Sequence, residues 1–242
     1  MGKLAGLPRG EEKHAAVRRM FDRIAPRYDL LNRLLSLRLD LGWRREALGF
    51  LALTPGDVLL DLACGTGDFL VLAEPTGARL LGADFSEGML RGARCRRVPG
   101  ALLQADAVRL PLADGAVTAL SCGFALRNFV HLEDVLTEAA RVLAPGGRMA
   151  LVEVDEPQSS VMRLGHSVYF NRIVPFVGGL ISDRDAYRYL PRSVAYLPPA
   201  PDLLALVSRA GFTRVAKRRL SGGIAQLITG ERTAERAAGR IR

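Results

Sequence analysis

The sequence predicts an α/β fold built around one open and mostly parallel sheet. Five short apolar runs lie between residues 58 and 154, and each suits a strand buried on both faces. Helical stretches separate the runs, and one of them, 133–143, ends before the stop signal Pro145-Gly146-Gly147. Two further strand-like runs follow a last helix. Such alternation implies a sheet wound in one hand with helices on both faces, so seven strands are expected, the last of them antiparallel.

The N-terminal region, residues 1–55, is predicted to be helical. Val17, Met20 and Ile24 recur at helical spacing, and the leucine-rich stretch 30–53 continues the pattern. The sheet follows this region. Its first five predicted strands are VLLDLACG (58–65), RLLGADF (79–85), ALLQADA (101–107), AVTALSCGF (116–124) and RMALVEV (148–154).

The remainder of the chain completes the sheet after one interruption. The stretch 158–201 breaks the alternation with scattered tyrosines and prolines, and we interpret it as an inserted helical cap. Regularity returns with a short amphipathic helix at 203–211. The runs 213–220 and 223–230, joined by Gly222-Gly223, predict an antiparallel hairpin at the edge of the sheet.

Length and composition indicate one globular domain. The chain has 242 residues, of which 49% are hydrophobic and 24% charged, so it can bury a substantial core and global disorder is excluded. Three cysteines without a Cys-x-x-Cys pair fit neither a disulfide framework nor a zinc site, which favours a reducing cytoplasm. No apolar stretch reaches the length of a membrane span, and no signal peptide is recognised. We expect a protein that is neither transmembrane nor secreted by that route.

The net charge of +9 belongs to the ends of the chain. Residues 1–50 carry a net charge of +5 and residues 214–242 a net charge of +6, which leaves −2 between them. Positive termini can serve nucleic acid, an anionic membrane surface or solubility. The charge pattern alone does not choose among these three uses.

The strongest motif lies at the end of the first predicted strand, where the chain reads DLACGTGD (61–68). Its two glycines let the backbone approach a ligand closely, and the following helix would present free N–H groups. A dinucleotide fingerprint would need a third glycine at position 70, which is Leu70, and a P-loop would need Gly-Lys-Ser/Thr. Both phosphate-binding interpretations are therefore weakened.

Three carboxylates follow successive predicted strands. Asp61 lies at the end of the first, Asp84 at the end of the second and Asp106 at the end of the third. A carboxylate about 20 residues beyond a glycine loop can accept hydrogen bonds from both ribose hydroxyls, and a carboxylate in the third position can accept from an adenine amino group. Each aspartate by itself suits a helix cap or turn, but together at the ligand-binding edge they predict a nucleoside site.

The motifs LLDLACGTGDF, GADFSEGML and QADAVRLPLADG resemble those of class I S-adenosylmethionine-dependent methyltransferases. More specifically, the chain resembles the ubiquinone/menaquinone biosynthesis C-methyltransferases, over roughly residues 17–230. The stretches that carry this resemblance are MFDRIAPRYDLLNRLLS (20–36), GFALRNF (123–129), RVLAPGGRMALVE (141–153), DAYRYLPRSV (185–194), and AGFTRV with LSGGIA (210–225).

The resemblance implies a single Rossmann-like methyltransferase domain that uses S-adenosylmethionine as methyl donor. Its expected parts are N-terminal helices (1–55), a cofactor-binding sheet (56–157), a substrate cap (158–201), a last helix with the strand hairpin (202–230) and a basic tail (231–242). The residues expected to bind the cofactor are Tyr28, Asp61, Ala63, Gly65, Thr66, Gly67, Asp84, Phe85, Met89, Asp106, Ala107, Gly123 and Phe124.

The implied reaction is C-methylation of a prenylated hydroquinone, most simply demethylmenaquinol to menaquinol. A phenol-like hydroxyl has a pKa near ~10, so the ring carbon is a weak nucleophile until that proton leaves. Arg127 and Asn128 follow the fourth strand, where a guanidinium could stabilise the phenolate, although arginine is a poor base. A water or a carboxylate is expected to take the proton. The residues considered for that task are Asp155, His166, Tyr169, Tyr187 and Tyr189.

Aromatic side chains could close a dry pocket around the reaction, and Tyr28, Trp43 and Phe124 are the candidates. No metal is expected, because the three histidines show no ligand spacing. The apolar cap residues between 168 and 181 could line a groove for a lipid tail or simply pack the cap onto the sheet. Peripheral contact of the basic ends with an anionic membrane at its inner face is also expected.

Three rival interpretations stay open at this point. The high pI of about 10.2 suggests a methyltransferase acting on RNA, but no RNA-binding module is recognised and nucleic acid is not the expected partner. A benzoquinol could replace the naphthoquinol. A cofactor-binding regulator without catalysis is the third, because a fold and a cofactor site do not prove turnover. The oligomeric state is undetermined, and a homodimer is one of the options.

Overall fold

The computed structural model describes residues 7–157, 159, 162–165, 169, 172, 189 and 192–234. Within these ranges the helices of at least six residues are α1 (Gly10–Ile24), α2 (Tyr28–Leu35), α3 (Leu39–Leu51), α4 (Asp68–Ala73), α5 (Glu87–Cys95), α6 (Leu132–Val142) and α7 (Ala200–Arg209). The N-terminal region is helical, as its periodicity predicts. None of the helices in the described ranges is both long and apolar enough to cross a bilayer.

Seven strands form one sheet. They are β1 (Val58–Leu62), β2 (Arg79–Asp84), β3 (Ala101–Gln104), β4 (Val117–Gly123), β5 (Leu143–Val154), β6 (Phe212–Leu220) and β7 (Ala225–Arg232). Their order is β3-β2-β1-β4-β5-β7-β6. The pairs among β1 to β5 are parallel, whereas β7 runs antiparallel to both β5 and β6. The predicted fold class, including the antiparallel last strand, is confirmed.

Helices cover both faces of the sheet, because successive side chains of the central strands point to opposite faces and are buried on each. Leu60 of β1 belongs to a cluster with residues of α6 and α7, such as Leu136 and Val207. Its neighbour Leu59 belongs to the opposite cluster, with Leu51 of α3. All five residues of β1 are buried, which is why that strand reads as a continuous apolar run.

The sequence overestimates the length of two strands at the functionally important edge. β1 ends at Leu62 and β3 at Gln104, whereas the apolar runs predict strands to 65 and 107. Ala63 has a φ of +55°, in the left-handed region that a non-glycine residue rarely adopts, so the chain must leave the sheet there. The residues beyond these two strand ends therefore lie in loops.

One predicted boundary is wrong at the other end of the sheet. The stop signal Pro145-Gly146-Gly147 is expected to separate a helix from a strand starting at Arg148, but β5 already begins at Leu143. Pairing with β4 passes from Val117–Leu143 to Ala119–Arg148 through a register shift. The turn residues are thus absorbed as an irregularity within the strand instead of interrupting it.

Two of the N-terminal helices, α1 and α2, lie over the carboxyl edge of the sheet, whereas α3 packs on one of its faces. Met20, Ile24 and Leu31 form a small core with Met89 of α5. Trp43 of α3 belongs to one of the two large cores, and its Nε1 donates a hydrogen bond to Ser221 Oγ at 2.8 Å. Most of the predicted cap, 158–201, lies outside the described residues.

Candidate active site

A cavity of about 170 Å³ lies at the carboxyl ends of β1, β2 and β4, beneath the N-terminal helices. This is the edge at which open α/β sheets bind ligands. Many of the residues singled out from the sequence line it. They are Tyr28, Ala63, Gly65, Asp84, Phe85, Met89, Asp106, Ala107, Gly123, Phe124 and Asn128.

A smaller and more polar cavity adjoins the first. The two share Tyr28, Ala63, Gly65 and Gly123. The smaller one adds two predicted residues, Asp61 and Thr66, and two that were not predicted to bind a ligand, Arg44 and Asp68, the last residue of the DLACGTGD motif. The site therefore has an apolar, aromatic compartment and a charged compartment. They are joined at the loop 63–67, which we call the glycine loop.

The glycine loop has a backbone shape that opens space toward the cavities. Gly65 has a φ of +55°, and a Cβ added there would meet no atom within 4 Å. At Gly67, with a φ of +87°, an added Cβ would lie 2.6 Å from Val98 Cγ1. The first glycine thus leaves room at the site, whereas the second lets the loop pack against the protein. Gly67 does not line either cavity.

Asp84 is held by the loop that it was predicted to face. Its Oδ2 accepts from the Gly65 N–H at 2.8 Å and its Oδ1 from the Ser86 N–H at 2.9 Å. Burial raises the pKa of Asp84 to about 6, against the lowering effect of these two hydrogen bonds. Each carboxylate oxygen keeps a further lone pair for a ligand hydroxyl.

Asp61 has a different environment at the end of β1. It is buried, and its Oδ1 accepts from Ser121 Oγ at 2.7 Å. Burial raises the pKa of this carboxyl to about 7, and the nearby Arg44 partly offsets that effect. The smaller cavity thus contains a carboxyl group that can hold or release a proton close to neutral pH.

The third aspartate is paired with a residue that the sequence pattern did not place at the site. Asp106 Oδ2 lies 2.9 Å from Nε2 of His14, and Val108 N–H donates to Oδ1 at 3.1 Å. The His14 ring also meets the Phe85 ring edge-on, with centroids 5.4 Å apart. The contact between His14 and Asp106 joins residues 92 positions apart in the sequence and holds α1 over this end of the cavity.

Arg127 does not line either of the two cavities. It lies in a short 3-10 turn, Leu126–Asn128, and is 7% exposed. Its Nη1 makes a close hydrogen-bonded ion pair with Glu153, which is fully buried in β5. The guanidinium also donates from Nε to Ser193 Oγ at 3.1 Å. The expected interaction of Arg127 with a phenolate therefore stays a prediction, and in this structure its partner is Glu153.

Asn128, the neighbour of Arg127, does reach the cavity. Its Oδ1 accepts from the Tyr189 hydroxyl at 3.2 Å, and its Nδ2 donates to the Phe124 carbonyl at 3.4 Å. Phe124 has a φ of +61°, so a second left-handed residue follows a strand at the rim. Burial raises the pKa of Tyr189, which keeps its hydroxyl a donor.

The other candidate bases are distributed differently. Asp155 does not line either cavity, and its Oδ2 lies 2.8 Å from Nζ of Lys217 on β6. His166 and Tyr187 lie outside the described residues. Tyr169 packs against the small N-terminal core. Within the described ranges, no group of three or more His, Cys, Asp or Glu side chains is arranged to hold a metal ion.

Several cavity residues are not among the predicted site residues, although two of them, Phe21 and Phe129, lie within stretches that carry the family resemblance. Glu11, His14 and Phe21 of α1 line the cavity, as do Phe129 and His131. Positions 11, 14 and 21 lie close to one side of a helix, which is a weak signal in the sequence for the three residues of α1. Trp43 contributes indirectly, because it packs against Phe124 with ring centroids 6.0 Å apart.

A sequence model of the ubiE/COQ5 methyltransferase family matches residues 9–232. The chain belongs to this family. It is 46% identical over 220 residues to a protein of Thermus thermophilus named demethylmenaquinone methyltransferase, a match that covers 88% of this chain and all of that protein. It is 42% identical over 222 residues to the ubiquinone/menaquinone biosynthesis C-methyltransferase UbiE of Syntrophotalea carbinolica, covering 89% of this chain and 94% of that protein.

Solved structures share the fold of this ubiE/COQ5 family member at low identity. An S-adenosylmethionine-dependent methyltransferase of Thermotoga maritima superimposes with a TM-score of 0.64 at 21% identity, over 89% of this chain and 99% of that one. The cyclase SpnF superimposes with a TM-score of 0.67 at 16% identity, over 94% and 97%. Because a cyclase is among these proteins, the likeness shows the fold and does not specify the reaction.

Two sets of polar contacts hold the N-terminal helices of this family member over the site. Asp22 of α1 accepts at Oδ1 from Ser86 Oγ at 2.6 Å and from the Gly88 N–H at 3.0 Å. Arg96 donates to the Thr66 carbonyl at 2.9 Å and pairs with Asp29 Oδ2 of α2 at 3.0 Å. Hydrogen bonds and an ion pair therefore connect α1 to the start of α5, and α2, through Arg96, to the glycine loop.

A buried lysine supports the same covering segment from the far end. Lys13 of α1 donates from Nζ to the Phe129 carbonyl at 2.7 Å and lies 3.7 Å from the centroid of the Tyr196 ring. Burial lowers the pKa of Lys13 to about 8. Phe129 lines the cavity, so this lysine ties α1 directly to the cavity wall.

Proposed function

We propose that the protein transfers a methyl group from S-adenosylmethionine to a ring carbon of a prenylated hydroquinone, converting demethylmenaquinol to menaquinol. The observation that carries this proposal is the 46% identity to a demethylmenaquinone methyltransferase across the full length of that protein. The same alignment covers 88% of the present chain, and the family model matches residues 9–232, which include the cavity lining and the helices above it.

The residues of the two cavities fit S-adenosylmethionine, which supplies an electrophilic methyl group on a sulfonium when it is bound. Asp84 would accept from the ribose hydroxyls with the lone pairs that Gly65 and Ser86 do not use. Asp106 would accept from the adenine amino group. The open space beside Gly65 accommodates a close ligand, and the charged side chains around Asp61 suit the amino and carboxylate groups of the methionine portion.

The larger cavity suits a reaction in which opposite charges merge. Phe21, Tyr28, Phe85, Phe124 and Phe129 line it, so few water molecules compete with the ligands. A phenolate and a sulfonium lose their charges on methyl transfer, and an apolar environment therefore favours the transition state over the charged reactants. Burial also raises the pKa of Tyr28 to about 12, which keeps that hydroxyl neutral beside the reacting groups.

The acceptor must lose a proton from a hydroxyl whose pKa is near ~10 before its ring carbon becomes a strong nucleophile. Asn128 would orient that hydroxyl, since its amide reaches the cavity and is held by Tyr189. Glu11 and His131 line the same cavity and supply a carboxylate and an imidazole group for taking the proton. Arg127 does not line the cavity and is paired with Glu153, so it would influence the reaction only indirectly, from behind the cavity wall.

A benzoquinol is the second candidate acceptor, because the relative from Syntrophotalea carbinolica carries both quinone pathways in its name. We also include peripheral contact with a membrane in the proposal, since a prenylated substrate resides in a bilayer.

The test is transfer of a labelled methyl group from S-adenosylmethionine to three acceptors offered in parallel, namely reduced demethylmenaquinone, reduced demethylated benzoquinone and total RNA. We expect label in the naphthoquinol. The Asp84→Asn variant should lose most of the transfer, whereas Asp114→Asn, at a carboxylate whose side chain is 84% exposed, should not. Label only in RNA, or in none of the acceptors, would refute the proposed acceptor class.

A further inference from the structure

Four leucines within ten residues are exposed on and just after α2. Leu30 is 61% exposed, Leu34 46%, Leu37 69% and Leu39 41%. Half of the large exposed hydrophobic residues in the described part of the chain fall in this one segment. Scattered single leucines on a surface need no explanation, but such a concentration marks an interaction site. We call these four residues the leucine patch.

The leucine patch lies on the outer side of an element whose inner side forms the active-site wall. Leu30 and Leu34 are one helical turn apart on α2 and share a face. On the other side of the same helix, Leu31 is fully buried and Tyr28 lines both cavities. One short helix therefore separates the exposed apolar surface from the cavity.

The segment that carries the leucine patch has a net positive charge. Residues 17–39 contain six arginines and two aspartates, a net charge of +4, and five of the six arginines are exposed. Both aspartates are engaged by the body of the protein, Asp22 by Ser86 and Asp29 by Arg96. Both carboxylates of the segment thus have partners in the rest of the protein. Exposed leucines beside exposed arginines are typical of a surface that binds an anionic lipid interface.

The backbone holds the tip of the patch outward. Leu37 has a φ of +51° and Arg38 a φ of +63°, so two successive non-glycine residues occupy the left-handed region. Leu37 is nevertheless the most exposed of the four leucines. The turn ends α2, with Leu37 N–H donating to the Leu34 carbonyl at 3.3 Å and Arg38 N–H to the Arg33 carbonyl at 3.0 Å, and it leaves the Leu37 side chain in solvent.

We propose that the leucine patch and the arginines around it dock the protein on an anionic phospholipid bilayer, with α2 lying between the bilayer and the active-site cavity. This inference rests on the proposed function for its biological purpose, since a prenylated acceptor would have to reach the cavity from the membrane. The docking itself depends only on the surface described above. A second copy of the chain on the same patch is the competing occupant.

The test is flotation of the full-length protein with vesicles of phosphatidylcholine alone or mixed with phosphatidylglycerol. The Leu30→Ser/Leu34→Ser variant should bind the mixed vesicles on the order of tenfold more weakly, because two partly exposed leucines no longer enter the interface. Arg38→Gln should weaken binding to the mixed vesicles about fivefold and leave binding to neutral vesicles unchanged. The matched control is Val71→Ser, at an exposed apolar residue of α4 outside the patch, and it should bind as the wild type does.

The remaining outcomes separate this inference from the proposed function. Methyl transfer to a short-chain, water-soluble acceptor should be unchanged in the leucine variant, and its urea midpoint should match that of the wild type. Vesicle binding in a protein that methylates no quinol would support docking and refute only the proposed function. Equal binding by wild type and leucine variant, no binding by either, or a wild-type dimer that the leucine variant abolishes would overturn the docking proposal.

Discussion

Removing Arg127 should destabilise the protein by about 3 kcal/mol, because its partner Glu153 would become an uncompensated charge in the core. Glu153 is fully buried, which favours the upper part of the usual range of about 3 to 5 kcal/mol for breaking a buried pair. However, the Val154 N–H at 2.8 Å and the Arg127 backbone N–H at 3.3 Å would still donate to it. These donors place the expected cost at the lower end.

The assay is urea and thermal unfolding of Arg127→Met, Glu153→Gln and the double variant. At about 2 to 4 °C per kcal/mol for a protein of this size, Arg127→Met should lower Tm by roughly 6 to 12 °C. The double variant should be more stable than Arg127→Met, because glutamine keeps an acceptor for the backbone donors and removes the charge. The control is Arg94→Met, whose ion pair with Glu87 is largely exposed and should contribute no more than about 1 kcal/mol.

Activity in the double variant then separates two roles of the arginine. If the guanidinium stabilises the phenolate, the double variant should bind S-adenosylhomocysteine normally and remain inactive. If the pair only supports the cavity wall, methyl transfer should return together with stability. A loss of less than about 1 kcal/mol in Arg127→Met, or a double variant no more stable than that single variant, would refute the idea that Glu153 depends on Arg127 for charge compensation.

Three further predictions concern the same site. Protonation of Asp84, whose pKa burial raises to about 6, removes an acceptor for ribose, so the affinity for S-adenosylhomocysteine measured by calorimetry should fall as the pH drops below about 6. Asp84→Asn should bind weakly at every pH, and a wild-type affinity that is constant from about pH 5 to pH 8 would contradict this assignment. Gly67→Ala should cost about 1 to 3 kcal/mol in urea unfolding, since its φ is +87° and the new Cβ would meet Val98; a midpoint equal to that of the wild type would show that the loop relaxes freely. Asp22→Ala should expose α1 to faster hydrogen exchange, because the hydrogen bonds to Ser86 and Gly88 are lost, and unchanged exchange in α1 would show that apolar packing alone holds it.

The fold could be predicted from the sequence because its signals are local. Each central strand is an apolar run, and the alternation with helices specifies a parallel sheet with little ambiguity. The strand boundaries were less predictable. The apolar pattern of β1 continues into the site loop, and only the left-handed backbone at Ala63 shows where the strand ends.

Some residues of the site could likewise be predicted from the sequence, and others could not. The glycine loop, Asp84 and Asp106 are local features of strand ends, and the structure brings them to one cavity as their positions predict. The partner of Arg127 could not be predicted, because Glu153 is 26 positions away within a strand that reads as apolar. The contribution of α1 has only a weak local signal, the helical face shared by positions 11, 14 and 21, and the hydrogen bond from His14 to Asp106 spans 92 positions.

The sequence by itself determined the α/β class, the order of the elements and the chemistry available at the strand ends. Periodicity, turn residues and strand-end carboxylates are local features, and each can be recognised within a short segment of the chain. Only the tertiary structure decided which charges neutralise each other, that α1 covers the cavity, and that four leucines remain outside the core. Those outcomes depend on which surfaces meet after folding, and a buried charge or an exposed leucine is defined by its neighbours in space and not by its neighbours in the chain.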